Sequence, residues 1–245
     1  FTWGFFMAKN GYSQMAIDIW ASLRNTCYYI LGTVPPRIIL GFAVALLLNQ
    51  AIRGRNLLRA MFYFPVVAPL VSVSLLWQWM FNTHFGIINS ILRAIGLAPI
   101  PWLTSSKYAL SAVMIMSVWK TIGWNMVIFL AGLQGIAPTY YEAAQIDGAN
   151  SWQCIRYITM PLLRPIVLLA LVVSTINSSK VFEQVYIMTG GGPGYSTMTL
   201  VQQVYHSAFQ SYEMGYASAI SLILFAVVMI LSVIQFKYLG ARTDE

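Results

Sequence analysis

The residues of this chain whose types and spacing could do chemistry are polar groups set inside apolar runs. On one run Ser117, Lys120, Thr121 and Trp124 recur at the spacing of a single helix face, and on another Ser174, Asn177, Ser178 and Val181 repeat it. Hydroxyls, an amide and an ammonium could hydrogen-bond a polar ligand, while Trp119 and Trp124 could cover its apolar surface. The bland competitor is helix packing, in which Ser and Thr bond to a neighbouring helix. A third cluster, Glu142, Ala143, Ala144, Asp147 and Gly148, combines carboxylates with small residues that admit a close backbone.

Other chemistry finds little material. Two cysteines, Cys27 and Cys154, and two histidines, His84 and His206, make neither a disulfide framework nor a metal-ligand motif. No G-x-x-x-x-G-K-[ST] phosphate cradle occurs, and the glycines of residues 190–194 lack its lysine and read as a turn. Net charge is +7, but the 14 Lys and Arg form no basic run, so nucleic acid is not an expected partner. No catalytic residue, resident cofactor or metal is expected.

Composition sets the frame for the polar faces. Hydrophobic residues make up 58% of the 245 and charged residues 9%, against about 25% charged in soluble domains. So few charges cannot cover a soluble surface, and the excess apolar area must face lipid. The expected class is all-α integral membrane. Stretches of about 20 apolar residues cross a bilayer, and five qualify: residues 26–48, 60–81, 108–136, 165–188 and 215–236. Pro35, Pro36 and Arg37 interrupt the first, Lys120 lies within the third, and Lys180 with Glu183 lies toward the outer end of the fourth. Those two could pair across one helix turn, while Arg37 could reach the headgroups.

Lys and Arg set the orientation. The side shared by residues 49–59, 137–164 and the C-terminal tail carries Arg53, Arg55, Arg59, Arg156, Arg164, Lys237 and Arg242; the other carries Lys9, Arg24, Arg93 and Lys107. The excess places the C-terminus, including the tail 241–245, in the cytoplasm and residues 1–25 outside, following a further span upstream. Cys27 and Cys154 then fall on opposite sides and should not pair.

The cytoplasmic loop 137–164 is long and patterned. Pro138 and Thr139 open a helix, Glu142 to Gln145 continue it, Gly148 stops it, and a second helix over residues 151–158 runs to a break at Pro161. Its E-A-A-x-x-D-G-A sequence from Glu142 to Ala149, followed by M-P-L-L-R-P from Met160 to Pro165, resembles the EAA loop of bacterial ABC-importer permeases. Further matches are Ser22-Leu23-Arg24-Asn25-Thr26, Leu46-Leu47-Leu48-Asn49, Thr189-Gly190-Gly191-Gly192-Pro193, which is typical of carbohydrate importers, and Phe1-Thr2-Trp3, which resembles residues after a first span. The chain is therefore similar to the permease subunits of sugar importers of the maltose and multiple-sugar type, over nearly its whole length.

The resemblance implies a type I ABC-importer permease helical bundle (residues 26–240) in the bacterial inner membrane. It implies a cytoplasmic EAA coupling helix that seats on an ATPase subunit through Glu142, Ala143, Ala144, Asp147 and Gly148. The implied partners are a second, different permease chain, two ATPase subunits that hold ATP and magnesium, an extracytoplasmic solute-binding protein, a sugar and membrane lipid. Family sugar contacts fall at Trp119, Lys120, Thr121, Trp124, Ser174, Asn177, Ser178 and Val181, although most residue identities differ here. Three alternatives stay open. The same machine could carry glycerol-3-phosphate or glycerophosphodiesters, which Lys120 or Lys180 would favour. An ion-coupled secondary transporter would use Glu183 as its site. A pure membrane scaffold would explain neither the EAA loop nor the polar faces.

Overall fold

The computed structural model describes the backbone of residues 2–50 and 52–239 and the side chains of residues 19–50 and 52–238. Side chains of the leading segment before residue 19, Lys9 among them, and the tail 241–245 with Arg242 lie outside the described residues. No strand occurs among those described. In chain order the helices are α1 Thr2–Asn49, α2 Arg55–Val67, α3 Leu70–Met80, α4 Ile87–Ala94, α5 Ala109–Gln134, α6 Pro138–Ile146 and α7 Ser151–Cys154. They continue with α8 Met160–Leu162, α9 Arg164–Ser179, α10 Glu183–Met188, α11 Leu200–Tyr205 and α12 Met214–Leu239. The π-helical turns Ile155–Thr159 and His206–Gln210 link α7 to α8 and extend α11.

Among the described residues, three helices are long and apolar enough to cross a membrane: Ile19–Asn49, Ala109–Gln134 and Met214–Tyr238. Two broken pairs qualify if each counts as one span, Arg55–Val67 with Leu70–Met80 and Ser151–Leu162 with Arg164–Ser179. Several expectations change in detail. α1 runs through Pro35 and Pro36 without ending. The stretch 60–81 breaks at Ala68–Pro69, because proline lacks an N–H and drives the preceding residue to extended backbone; Ala68 has ψ 138°. The stretch 165–188 is helical only to Ser179 and resumes as α10, with Val181 held between them by its carbonyl, which accepts from the Thr199 hydroxyl at 3.0 Å. The loop's second helix passes Pro161 and turns at Leu163, where the axis bends by 68°.

The chain forms two compact units. The first holds Phe1–Thr33, Pro69–Ser117 and Asn177–Val228, and buried polar bonds join its elements. The Tyr29 hydroxyl donates to Ser117 Oγ at 2.6 Å and receives the Gln184 amide at 3.0 Å, and Thr33 and Ser178 share a bond of 3.1 Å. Asn25 donates to the carbonyls of Tyr195 and Met198 at 2.8 and 3.0 Å, tying the turn after Gly190–Gly194 to α1. Lipid offers no competing water, so such bonds and close packing hold helices together where burial of apolar surface cannot.

The second unit holds Val34–Ala68, Val118–Ile176 and Met229–Glu245. Its core is Ala45, Leu48, Met126, Phe129, Leu130, Leu133, Leu163 and Ala170, with the Phe42 ring edge-on to Phe129 at 5.5 Å. Glycines bring α5 close to its neighbours. A β-carbon at Gly41 would lie 2.5 Å from Asn125 Cβ, and one at Gly123 would strike the Phe62 carbonyl oxygen. Gly123→Val should therefore separate α2 from α5 at a cost of roughly 1–3 kcal/mol. Thermal unfolding of the purified protein should show a lowered midpoint for Gly123→Val but an unchanged one for Gly215→Ala, whose β-carbon meets nothing within 4 Å.

Candidate functional site

The break between α2 and α3 explains the most central charge. The Lys120 ammonium donates to the carbonyls of Pro65 at 2.8 Å, Ala68 at 2.7 Å and Val66 at 3.4 Å. These groups sit at the open end of α2, where the helix has no further N–H to offer. A cation there satisfies them and opposes the negative end of the helix dipole. Arg59 does the same for α1, donating to the Leu48 carbonyl at 3.1 Å.

The two predicted polar faces divide by exposure and by unit. In the second unit Trp119 and Trp124 are 40% and 45% exposed, Lys120 and Thr121 are half-buried, and the Thr121 hydroxyl donates to the Val118 carbonyl at 3.3 Å. Ser174 in that unit is buried and donates to Asn125 Oδ1 at 3.3 Å. In the first unit Asn177 is exposed, whereas Ser178 and Val181 are buried in the bonds to Thr33 and Thr199. Ser117, predicted on the first face, is buried against Tyr29.

The remaining membrane charges also resolve. Arg37 is buried, so the expected reach to headgroups is corrected: the guanidinium turns into the protein. Lys180 and Glu183 are exposed and fall on either side of the α9–α10 break, so no helix turn pairs them, and no ion pair joins them among the described residues. Both cysteines are free thiols.

The patterned loop is a well-made surface. Pro138 occupies the first turn of α6 after extended Ala137, and no residue of α6 is buried. Gly148, at φ +80°, closes the helix: its N–H donates to the Gln145 carbonyl at 3.1 Å, and the Ala149 N–H to Ala144 at 2.9 Å. That reversed pair of bonds is a Schellman turn, which needs left-handed backbone at its glycine. Its β-carbon would meet nothing within 4 Å, so the conformation, not the space, demands glycine. Asn150 and Gln153 then form a reciprocal cap for α7, and the Tyr141 and Thr159 hydroxyls bond at 3.0 Å. Glu142, Ala143, Asp147 and Gly148 are exposed and Ala144 half-buried, while Ile146 is 87% exposed beside exposed Tyr140, Trp152 and Tyr157.

Sequence reasoning did not single out Asn125, Gly123 or Asn89. A signal existed for the first two, a Gly-Trp-Asn step inside an apolar run. Asn89 is buried and gathers the loop after α3: its amide reaches the carbonyls of Ile100, Thr83 and Asn82 at 2.9, 3.3 and 3.4 Å, and its Oδ1 accepts from Trp102 Nε1 at 3.2 Å.

The long apolar helices and the broken helix pairs define an integral membrane protein. Residues 37–245 match the family described as the binding-protein-dependent transport system inner membrane component, and the chain belongs to that family. It is therefore a multi-pass membrane protein. It is 36% identical over 229 residues to the trehalose/maltose transport system permease protein MalF of Thermococcus litoralis, covering 94% of this chain and 77% of that one. It is 37% identical over 223 residues to the lactose transport system permease protein LacF of Rhizobium radiobacter, covering 89% and 74%. Its fold is that of a chain in the crystal structure of a bacterial alginate ABC transporter in complex with an alginate pentasaccharide-bound periplasmic protein. There the TM-score is 0.80 at 23% identity, covering 88% of this chain and 76% of that one.

Lys120→Met keeps length but leaves the α2 carbonyls without their cation. Unsatisfied buried polar groups cost roughly 1–3 kcal/mol. Thermal unfolding should show that loss directly, as a lower midpoint. Unchanged stability with a raised transport KM would instead assign Lys120 to the cargo.

Proposed function

We propose that this chain is one permease of an ATP-driven, binding-protein-dependent importer whose cargo is a sugar or oligosaccharide. The observation that carries the coupling role is α6. It is a helix with no buried residue, fixed at both ends, that carries Glu142, Ala143 and Ala144 with exposed Tyr140 and Ile146 and is followed by Asp147, Gly148 and exposed Trp152. A loop that presents this much apolar surface outside the spans suits a protein partner. The partner is an ATPase subunit that binds ATP and magnesium, present in two copies. Leu163 gives the helix a mechanical connection: a β-carbon at Gly132 of α5 would come within 2.8 Å of its side chain. Movement of the loop would therefore press on the helix that carries Trp119 and Trp124.

The sugar reading is supported by the relatives, which are named as trehalose/maltose and lactose permeases, and by the exposed indoles of Trp119 and Trp124 with Thr121 and Asn177 as hydrogen-bonding groups. Lys120, Ser174, Ser178 and Val181 complete the residues proposed for that path, each held by a neighbour within its own unit. Engagement of Lys120 with three carbonyls weakens the case it offered for a phosphate-bearing cargo. A second permease chain different from this one would complete the pathway, a solute-binding protein would deliver the cargo, and the C-terminus would lie in the cytoplasm.

The test compares Ala144→Phe and Gly148→Val with the parent chain in the assembled importer. Ala144→Phe adds bulk at the contact, a loss of roughly 1–3 kcal/mol, and Gly148→Val strains a left-handed turn by about 1–2 kcal/mol. Both should insert normally and lose ATPase retention or ATP-driven transport by tenfold or so. Full coupled transport by both variants, with the ATPase bound normally, would remove the coupling role from this loop.

A further inference from the structure

The first unit contains a second place suited to a carbohydrate. A cavity of 810 Å³ lies between the end of α3, the loop that follows it, and α10. That volume falls in the roughly 300–1,000 Å³ range of ligand sites. Phe81 lies buried in its wall, and three exposed aromatic residues border it, Trp79 at 73%, Phe85 at 69% and Tyr186 at 43% exposure. Gln78, Asn82 and Thr104, which carry amide and hydroxyl groups, also line it.

The walls are held rigidly from behind. Trp77, two positions before exposed Trp79, is buried against Phe81 at 5.3 Å, and Phe81 against Trp102 at 5.4 Å. Tyr186 stacks on Phe182 at 5.4 Å and meets the Tyr205 ring edge-on at 5.5 Å. Asn89 fixes the loop through the Asn82 and Thr83 carbonyls. The Asn82 Oδ1 accepts the N–H groups of His84 and Phe85, at 2.9 and 3.3 Å, which leaves its amide N–H pair for a ligand. Fixed aromatic faces interleaved with neutral amide and hydroxyl groups suit the alternating C–H and O–H surfaces of a neutral saccharide. A belt of interfacial aromatics would account for Trp79 alone but not for the polar groups gathered around it.

We propose that this cavity is a saccharide-contact site, separate from the Trp119 and Trp124 face, with Trp79 as its stacking platform and Asn82 as a donor. On the charge-based orientation it lies at the extracytoplasmic mouth, where cargo enters. The proposal rests on the sugar-importer reading above.

The experiment uses the complete importer in proteoliposomes, supplied with binding protein and a panel of neutral di- and trisaccharides that includes maltotriose. Trp79→Ala should raise the transport KM by roughly three- to tenfold, the loss expected for one stacking contact, with basal ATPase rate unchanged. Trp79→Phe should stay within about twofold, and Asn82→Asp, which keeps the Oδ1 acceptor, should also raise KM. A photoreactive benzoylphenylalanine at Phe85 should yield an adduct with the transported saccharide. Unchanged KM in Trp79→Ala and Asn82→Asp overturns the site, as does a Phe85 adduct formed with the partner permease or binding protein in place of saccharide. Failure of the parent importer to transport any saccharide of the panel overturns the sugar reading itself and the site with it.

Discussion

Within a bilayer every backbone carbonyl needs a partner, because no water is present to supply one. That requirement governs where this chain may break its helices. The α2 helix ends at Ala68 with carbonyls that no later N–H can reach, and Lys120 closes them with three hydrogen bonds. An ammonium alone in lipid costs about 2.5–3.5 kcal/mol on insertion scales. Set against open carbonyls, the same charge removes two liabilities at once, and the proline-induced break becomes tolerable.

The same constraint shapes the contacts elsewhere. Thr199 meets the Val181 carbonyl at the α9–α10 break, and Thr197 and Asn25 meet those of the glycine turn. Side chains that read as candidate ligand groups in the sequence are engaged by neighbouring helices instead, as Ser174 is by Asn125 and Ser178 by Thr33. Where no such bond forms, small residues allow near approach, as at Gly41 and Gly123. The α12 helix needs least of either, since little of it is buried within the chain.

The α6 helix stands apart because it obeys the rules of water. Its ends carry a proline start and a Schellman stop, both local devices that work without tertiary support. Such a helix keeps its shape although none of its residues is buried. Packing of Leu163 against the position of Gly132 supplies the contiguous contact through which a push on that helix would reach α5.

Local and one-dimensional features were legible in the residues themselves. Apolar run length marks membrane helices because bilayer thickness is a fixed ruler, as the helices Ala109–Gln134 and Met214–Tyr238 illustrate. Gly148 marks a helix stop because left-handed backbone is a property of one residue. The family likeness followed from the E-A-A-x-x-D-G-A order for a similar reason, since one helix and its glycine stop are written contiguously. The tertiary structure alone decided what each polar side chain does. Nothing in the spacing of Lys120 distinguishes a cavity-facing cation from one bound to Pro65 and Ala68, more than fifty positions away. Nor could periodicity foresee that the stretch after Ser179 breaks, because the Val181 carbonyl finds its donor on Thr199. Hydrogen-bond partners distant in sequence exist only once the chain has folded, and in lipid those partners determine where helices may end.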